Sequence, residues 1–401
     1  MSLKFATVSR IAVVLVCASI FNVARAEEKV GNAEWKVRMQ AMLTDILPLI
    51  PYAFDEAKFK DEKNRAEIQK SLAALANHSA ALKAHTAEFK TQPNAKIDPS
   101  LRFIAEAFEN EVAAAQTSFQ GSSAARSQAQ NYLRSAVSKC TMCHSQTSNG
   151  PELKLDQFRK QFETLTPSDR YVALIATRQF DDALKEFSKT LAKPKTESTD
   201  ELAIDRTAKS ALAIAVRVKR DPKLAQKLIQ DIQASGSASK MLQGDLPDWQ
   251  ESVVAWQADK PIDPTKEKEV FAEAKRLFEI GQKKESSAGH FKNASVTMLR
   301  ASTLLHDLLS NFPQSAKRAE AYLMLAATYD LLPGFTVWDL PDEYLAACIQ
   351  ENPHSEMSEK CFLKYESSVV LGYSGSSGTH IPSAVAEHVA RMRALAKRTK
   401  K

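Results

Sequence analysis

The chain has 401 residues, a charged fraction of 25% and a formal net charge of +6, so it is long enough for two or three domains with substantial cores. Glycine is scarce, at 11 residues, and strand-like alternation of apolar and polar residues is absent from the sequence, which predicts an all-α protein. The weak charge, without a basic cluster interleaved with aromatic residues, excludes a nucleic-acid partner. The sequence also lacks hydrolase and metalloprotease motifs, so we expect a carrier or binding protein and not an enzyme.

The first 26 residues have the pattern of a secretory signal peptide. Lys4 and Arg10 precede an apolar run, residues 11–23, and small residues flank a cleavage site after Ala26. The run is too short to be a permanent membrane span, and no other candidate span follows. Its three basic residues leave with it, which lowers the net charge from +6 to +3. We therefore expect a secreted mature chain in an oxidising compartment, a bacterial periplasm.

Residues 27–150 are predicted to form a domain of four helices. Each helix has apolar residues at three-and-four spacing, and the third opens with Asp98 as N-cap and Pro99 at the first helical position. Short polar connections between such helices favour an antiparallel four-helix bundle. The predicted helices cover residues 32–50, 61–90, 99–119 and 124–140.

The fourth helix leads into Cys140-Thr141-Met142-Cys143-His144, the most informative stretch of the chain. This spacing is the attachment signature of c-type haem, because thiols one helical turn apart face the same way and can add to both vinyl groups on one porphyrin edge. A zinc site would need a second ligand pair, and a thioredoxin-like site a βαβ pattern, neither of which the sequence has. We predict one covalent haem c, attached through Cys140 and Cys143, with His144 as an iron ligand.

A four-helix chain with this motif on its last helix resembles the cytochrome c-prime family, over about residues 27–149. In that family an arginine on the first helix precedes, by four residues, the side chain that faces the distal side of the iron. Arg38 and Met42 match these positions. The resemblance implies Met42 as a sixth iron ligand, as in low-spin, electron-transferring members, and Arg38 beside a haem propionate. One departure is the absence from residues 145–148 of the basic residue that the family often shows after the histidine.

The sequence leaves other sixth ligands open. Met39 lies three residues before Met42, and His78 and His85 flank the apolar face of the second helix. An open sixth position is a further alternative. A methionine on an apolar helical face can also be core filler, and Arg38 can be a solvated surface residue.

The chain after residue 150 stays helical but changes character. Residues 151–166 are predicted to be a linker and residues 167–401 a domain of stacked helical hairpins. The stretch 171–190 resembles the turn and second helix of a tetratricopeptide repeat. Two similar pentads, 311–315 and 351–355, each follow one helix and open another, and we expect the last serine of each to be an N-cap.

The cysteines divide into a motif pair and a remaining pair. Of five cysteines, Cys17 leaves with the signal peptide and two belong to the haem motif, so Cys348 and Cys361 remain. An even remaining pair in an exported protein suggests a disulfide, with two buried free thiols as the alternative. The glycine-rich stretch 372–380 is predicted to be a flexible connection before a last helix, residues 383–397.

These features together predict a periplasmic electron carrier with one haem, ligated by His144 and Met42, and a redox partner protein docked on the helical repeats. Two alternatives come from other classes of protein. One is a haem-based gas or redox sensor whose repeats report the state of the haem. The other is an assembly scaffold in which the haem is structural.

Overall fold

The computed structural model describes residues 37–88, 98–146, 159–193, 196, 200–286, 293–332, 334–335 and 339–398. In these ranges the chain is almost entirely helical, as the composition predicts. None of the helices described there is long and apolar enough to cross a membrane. The predicted signal peptide and the side chain of His85 lie outside the described residues.

The helices before residue 200 are α1 (37–46), α2 (Ile50–Phe54), α3 (Glu56–Lys60), α4 (Arg65–Glu88), α5 (Pro99–Phe119), α6 (Ser123–His144), α7 (Arg159–Glu163), α8 (Pro167–Ala176) and α9 (Phe180–Leu191). Those after it are α10 (Glu201–Ala213), α11 (Pro222–Ser235), α12 (Lys240–Ala258), α13 (Glu267–Ser286), α14 (Ser295–Asn311), α15 (Arg318–Asp330), α16 (Leu340–Glu351), α17 (Glu356–Gly372) and α18 (Ser383–Ala396). A π-helical segment, Ile214–Val218, continues α10.

The first predicted helix is broken and the next three are found close to their expected bounds. Pro48 has no N–H to donate, and the chain tightens into a 3₁₀ turn, Leu47–Leu49, before it resumes as α2. Asp98 caps α5 as predicted, because its side chain accepts a hydrogen bond from the Ser100 N–H at 2.9 Å.

Four of these helices are neighbours through side-chain contacts. Arg38 on α1 donates to the Ala81 carbonyl on α4 at 3.4 Å. Lys83 on α4 pairs with Glu109 on α5 at 2.8 Å, and α5 packs along the length of α6. Apolar residues from all four helices belong to one core, among them Leu43, Leu72, Val112 and Leu133.

Part of the predicted linker is folded. Residues 159–163 form α7, and Phe162 is buried. The Arg170 guanidinium on α8 donates to the carbonyls of Phe162, Glu163 and Leu165 at 2.9–3.1 Å. These bonds satisfy carbonyls at the end of α7, where the helix has no internal donors left, so α7 is held against α8.

From α8 onward, successive helices pack on each other as in a repeat-like helical array. The pairs are α8 with α9, α11 with α12, α13 with α14, α15 with α16, and α16 with α17.

Ser355 is an N-cap with a capping box, as predicted. The matching prediction for Ser315 is wrong, because α15 begins only at Arg318 with Lys317 as its N-cap; the Ser315 hydroxyl accepts from the Lys317 N–H, ahead of the helix, and donates to Glu267. The stretch after α17 forms a small exposed hairpin between Ser374–Gly375 and Gly378–Thr379.

The helices after residue 166 also pack directly on those before residue 147. α8 lies against α6, and α16 lies against α5. Arg102 on α5 forms an ion pair with Glu343 on α16 at 2.8 Å, with both side chains about a quarter to a third exposed. The two predicted domains therefore share a contact surface beside the C-terminal end of α6.

Candidate functional site

The motif, which we define as Cys140, Cys143 and His144, occupies the last turn of α6. All three side chains are partly buried, and the two thiols are free, without a disulfide between them. The Nδ1 atom of His144 is buried and has no partner at hydrogen-bond geometry among the described residues. An unsatisfied buried nitrogen is uncommon in folded proteins and calls for a specific explanation.

Burial determines the protonation of the motif. It raises the pKa of the Cys140 thiol to about 12 and that of Cys143 to about 11, so both are protonated at neutral pH. Burial, helped by the positive charge of Arg178, lowers the pKa of His144 to about 4. The imidazole is therefore neutral at neutral pH, and one ring nitrogen carries a lone pair, as a metal ligand requires.

The turn between α8 and α9 forms one wall of the motif. The backbone carbonyls of Ala176 and Ile175 face the His144 ring and partly offset the effect of burial. Arg178 follows in a left-handed conformation with φ of 60°, uncommon for a residue other than glycine, and its guanidinium lies 5.3 Å from the Phe180 ring centre. This arginine acts electrostatically on both Cys143 and His144. No local pattern in the sequence assigns Arg178 to the motif, since it belongs to the repeat-like segment.

The residues that the resemblance assigns to the distal side lie on α1. Met42 is buried and Met39 is partly buried against the same core. Arg38 lines a cavity of about 260 Å³ between α1 and α4, together with Ala41 and His78. His78 is hydrogen-bonded through Nδ1 to Asp45, and its side chain is 48% exposed. The two methionine candidates for the sixth ligand, Met42 and Met39, thus lie in or against the core, whereas His78 is paired with Asp45 at the surface.

A second polar group, which we call the buried cluster, consists of Asp98, Ser100, His306, Tyr329 and Tyr344. Its centre is the Asp98 carboxylate at the start of α5. Oδ2 lies 2.6 Å from His306 Nδ1, and Oδ1 accepts from the Tyr344 hydroxyl at 3.1 Å. His306 Nε2 lies 2.7 Å from the Tyr329 hydroxyl, so every polar side-chain atom of the five cluster residues has a partner.

Aromatic and cationic side chains surround the buried cluster. The rings of Tyr329 and Tyr344 are stacked with centres 5.8 Å apart, and Arg217 lies 5.3 Å from the Tyr329 ring centre. Arg217 comes from the π-helical segment, a type of irregularity that is frequent at functional sites. Burial raises the pKa of Tyr329 to about 12 and that of Tyr344 well above its usual value, so both phenols stay protonated.

Asp98 is ionised despite its burial. Burial alone would raise the pKa of this carboxyl, but His306 and the hydrogen bonds from Ser100 outweigh that effect and hold the pKa below its usual value. The Ser100 N–H, the Ser100 hydroxyl and the Tyr344 hydroxyl all donate hydrogen bonds to the carboxylate, and such bonds favour its charged form.

A chain of close polar contacts joins the buried cluster to the motif. The Gln146 N–H donates to the Cys143 carbonyl at 3.3 Å. The Gln146 side-chain oxygen lies 3.0 Å from Ser100 Oγ, which is 2.8 Å from Asp98 Oδ1. Asp98 also acts electrostatically on the Cys143 thiol and helps to raise its pKa. The sequence pattern identified Asp98 as a helix cap only, since its partners are distant in the chain.

Cys348 on α16 and Cys361 on α17 are fully buried and lie at disulfide distance, with their Cα atoms 6.2 Å apart. The predicted pairing of these cysteines is thus found, and the alternative of two separate buried thiols is not. In the described residues, no group of three or more histidine, cysteine or acidic side chains is arranged to hold a metal ion.

Comparisons of the chain with the profiles of protein families, with curated proteins and with solved structures find no match.

Proposed function

We propose that the chain is an exported c-type cytochrome that transfers single electrons through one haem attached to Cys140 and Cys143. The observation that carries this proposal is the motif on the last turn of α6, where two free thiols accompany a neutral imidazole whose buried Nδ1 has no hydrogen-bond partner among the described residues. These residues fit a c-type haem, with both thiols on one helical face and His144 next to them. The bound haem would supply reversible one-electron chemistry at its iron.

The protonation of the motif argues against its other chemistries. A redox-active Cys-x-x-Cys pair lowers the pKa of its nucleophilic thiol, whereas burial raises the pKa of Cys140 and Cys143 here. Structural zinc needs four ligands, and no such group exists among the described residues. Protonated, buried thiols with a neutral histidine are better suited to covalent attachment and axial ligation.

We further propose that α1, α4, α5 and α6 form a four-helix bundle of the cytochrome c-prime type, with Met42 as the sixth ligand and Arg38 beside a propionate. The neighbour contacts between these helices and the burial of Met42 support this proposal. The Cys348–Cys361 pair supports export, since disulfides persist in oxidising compartments such as a periplasm. The repeat-like array would then dock the redox partner.

Absorption spectra of the full-length protein, oxidised, reduced and with carbon monoxide, test this function. Wild-type protein should show a low-spin haem that does not bind carbon monoxide. Met42→Ala should remove the weak near-infrared band of sulfur-to-iron ligation and open the iron to carbon monoxide, whereas Met39→Ala, the matched control, should do neither. If Met42→Ala leaves the spectrum unchanged, Met42 is not the ligand.

A gas or redox sensor is the second candidate function, and one observation favours it. The buried cluster connects the end of α6 with α14, α15 and α16 through polar contacts. A movement of the motif would therefore displace side chains on these repeat-like helices. A wild-type iron that binds carbon monoxide without any substitution would favour this candidate over the electron carrier.

A further inference from the structure

The buried cluster places a negative charge beside the motif, and helices of the second half of the chain hold it there. Asp98 is on α5, but two of its side-chain partners, His306 and Tyr344, come from α14 and α16. These partners lie more than 200 residues away in the chain, with separations of 208 and 246. The repeat-like helices therefore determine whether this carboxylate stays charged and where it points.

Both ring nitrogens of His306 have partners. Nδ1 lies 2.6 Å from the Asp98 carboxylate and Nε2 lies 2.7 Å from the Tyr329 hydroxyl, so α14 and α15 together hold the carboxylate in place. Arg217 is buried over the Tyr329 ring, 5.3 Å from its centre, and places a positive charge at the Tyr329 side of the cluster.

We propose that Asp98 is a positioning residue that sets the reduction potential of the haem, and that His306 and Tyr344 keep it ionised for this role. The proposal rests on the proposed function, because it requires a haem on the motif. A buried anion near the iron stabilises the more positive, oxidised form, and low dielectric strengthens the effect. Asp98 therefore lowers the potential.

Arg178 offers a test with the opposite sign. It acts on Cys143 and His144 from the α8–α9 turn, and it carries a positive charge where Asp98 carries a negative one. Replacing Arg178 should lower the potential, while replacing Asp98 should raise it. A loss of packing alone would not produce shifts of opposite sign.

The experiment measures the midpoint potential of the full-length haem protein by spectroelectrochemistry at pH 7. Asp98→Asn is expected to change the ferric-to-ferrous ratio about tenfold towards ferrous, a rise of about 59 mV for one electron. Arg178→Gln should shift the ratio the other way. Asp307→Asn is the matched control, because Asp307 is equally buried on α14 but pairs with Arg220 through two hydrogen bonds of 2.7 Å, so its loss should leave the potential unchanged.

The outcomes separate this proposal from the function on which it depends. If wild-type protein carries no covalent haem, both fail. If haem is attached but Asp98→Asn leaves the ferric-to-ferrous ratio within twofold of wild type, the cytochrome stands and the role of Asp98 is overturned. The same holds if Asp307→Asn shifts the potential by as much as Asp98→Asn. Should Asp98→Asn alone reduce haem incorporation, Asp98→Asn combined with His306→Gln pairs two neutral amides at the same place and is expected to give the same upward shift.

Discussion

Two polar sites meet at the C-terminal end of α6, and they differ in how completely their hydrogen bonds are formed. In the buried cluster, every polar side-chain atom of the five residues has a partner. In the motif, His144 Nδ1 is buried without a hydrogen-bond partner among the described residues, and two thiols beside it are free. A satisfied network stabilises the fold, whereas an unsatisfied buried group calls for an explanation, of which a bound ligand is one. The contrast supports our proposal that the motif binds the haem and that the cluster stabilises the fold.

Breaking the cluster should have the largest effect on stability. His306→Ala removes the Nδ1 partner of Asp98 and the Nε2 partner of Tyr329, and leaving a buried carboxylate uncompensated in this way costs about 3–5 kcal/mol. His78→Ala is the matched control, since it breaks a histidine–aspartate pair with Asp45 at the surface, worth roughly 0–1 kcal/mol. Urea unfolding measures both. If the two variants lost equal free energies of unfolding, the cluster would not stabilise the fold more than a surface pair does.

The cross-link between α16 and α17 should have the next largest effect, without altering the motif. Cys348→Ala with Cys361→Ala opens a loop of 13 residues, which on the chain-entropy model costs about 3 kcal/mol. We expect reduced stability and an unchanged haem spectrum. Peptide mapping of the wild type under non-reducing conditions should find the two residues linked, and alkylation of both thiols in native, oxidised protein would show that they are not.

Acid should weaken the cluster selectively. Because the pKa of Asp98 is held below its usual value in the folded state, its contribution is fully present above the unfolded-state pKa, about 4. It is lost as the pH falls through the lower, folded-state pKa. The free energy of unfolding should therefore fall in this range for wild type and fall less for Asp98→Asn. Parallel pH profiles of the two proteins would mean that Asp98 is not the titrating group.

The smallest effect belongs to an ordinary helix cap far from both sites. Ser355→Ala removes the acceptor for the Ser358 N–H at the start of α17 and should cost about 1 kcal/mol. Ser355→Asp keeps an acceptor at the same position and should lose much less. Thermal unfolding distinguishes the two variants, and equal stability of both would remove the capping argument.

The sequence was informative where the chemistry lies within a few adjacent residues. The motif, the Asp98 cap, the Ser355 cap and the long helices α4 to α6 all follow from local spacing, and each is found within a few residues of its predicted position. The pairing of Cys348 with Cys361 followed from the number of cysteines that the signal peptide and the motif leave over. Local patterns also misled, since the pentad that caps α17 has a counterpart at Ser315 that does not cap α15.

The buried cluster could not be predicted because its members are joined only by the tertiary fold. Asp98 has the local pattern of an N-cap, and the sequence around His306 resembles an ordinary helix of the array. Arg178 likewise reaches the motif only because the α8–α9 turn packs on α6. A buried histidine between two apolar helical turns is the one local signal that could have drawn attention to α14.

The central claim is that the motif carries a covalent haem, and the mass of the intact, denatured protein tests it most directly. Full-length protein produced in a periplasm that attaches c-type haem should gain the mass of one haem, and the gain should persist after acid–acetone extraction. Cys140→Ala with Cys143→Ala should lose it, whereas Cys348→Ala with Cys361→Ala should keep it. Wild-type protein at the mass of the bare chain, or retention of haem without Cys140 and Cys143, would contradict the account.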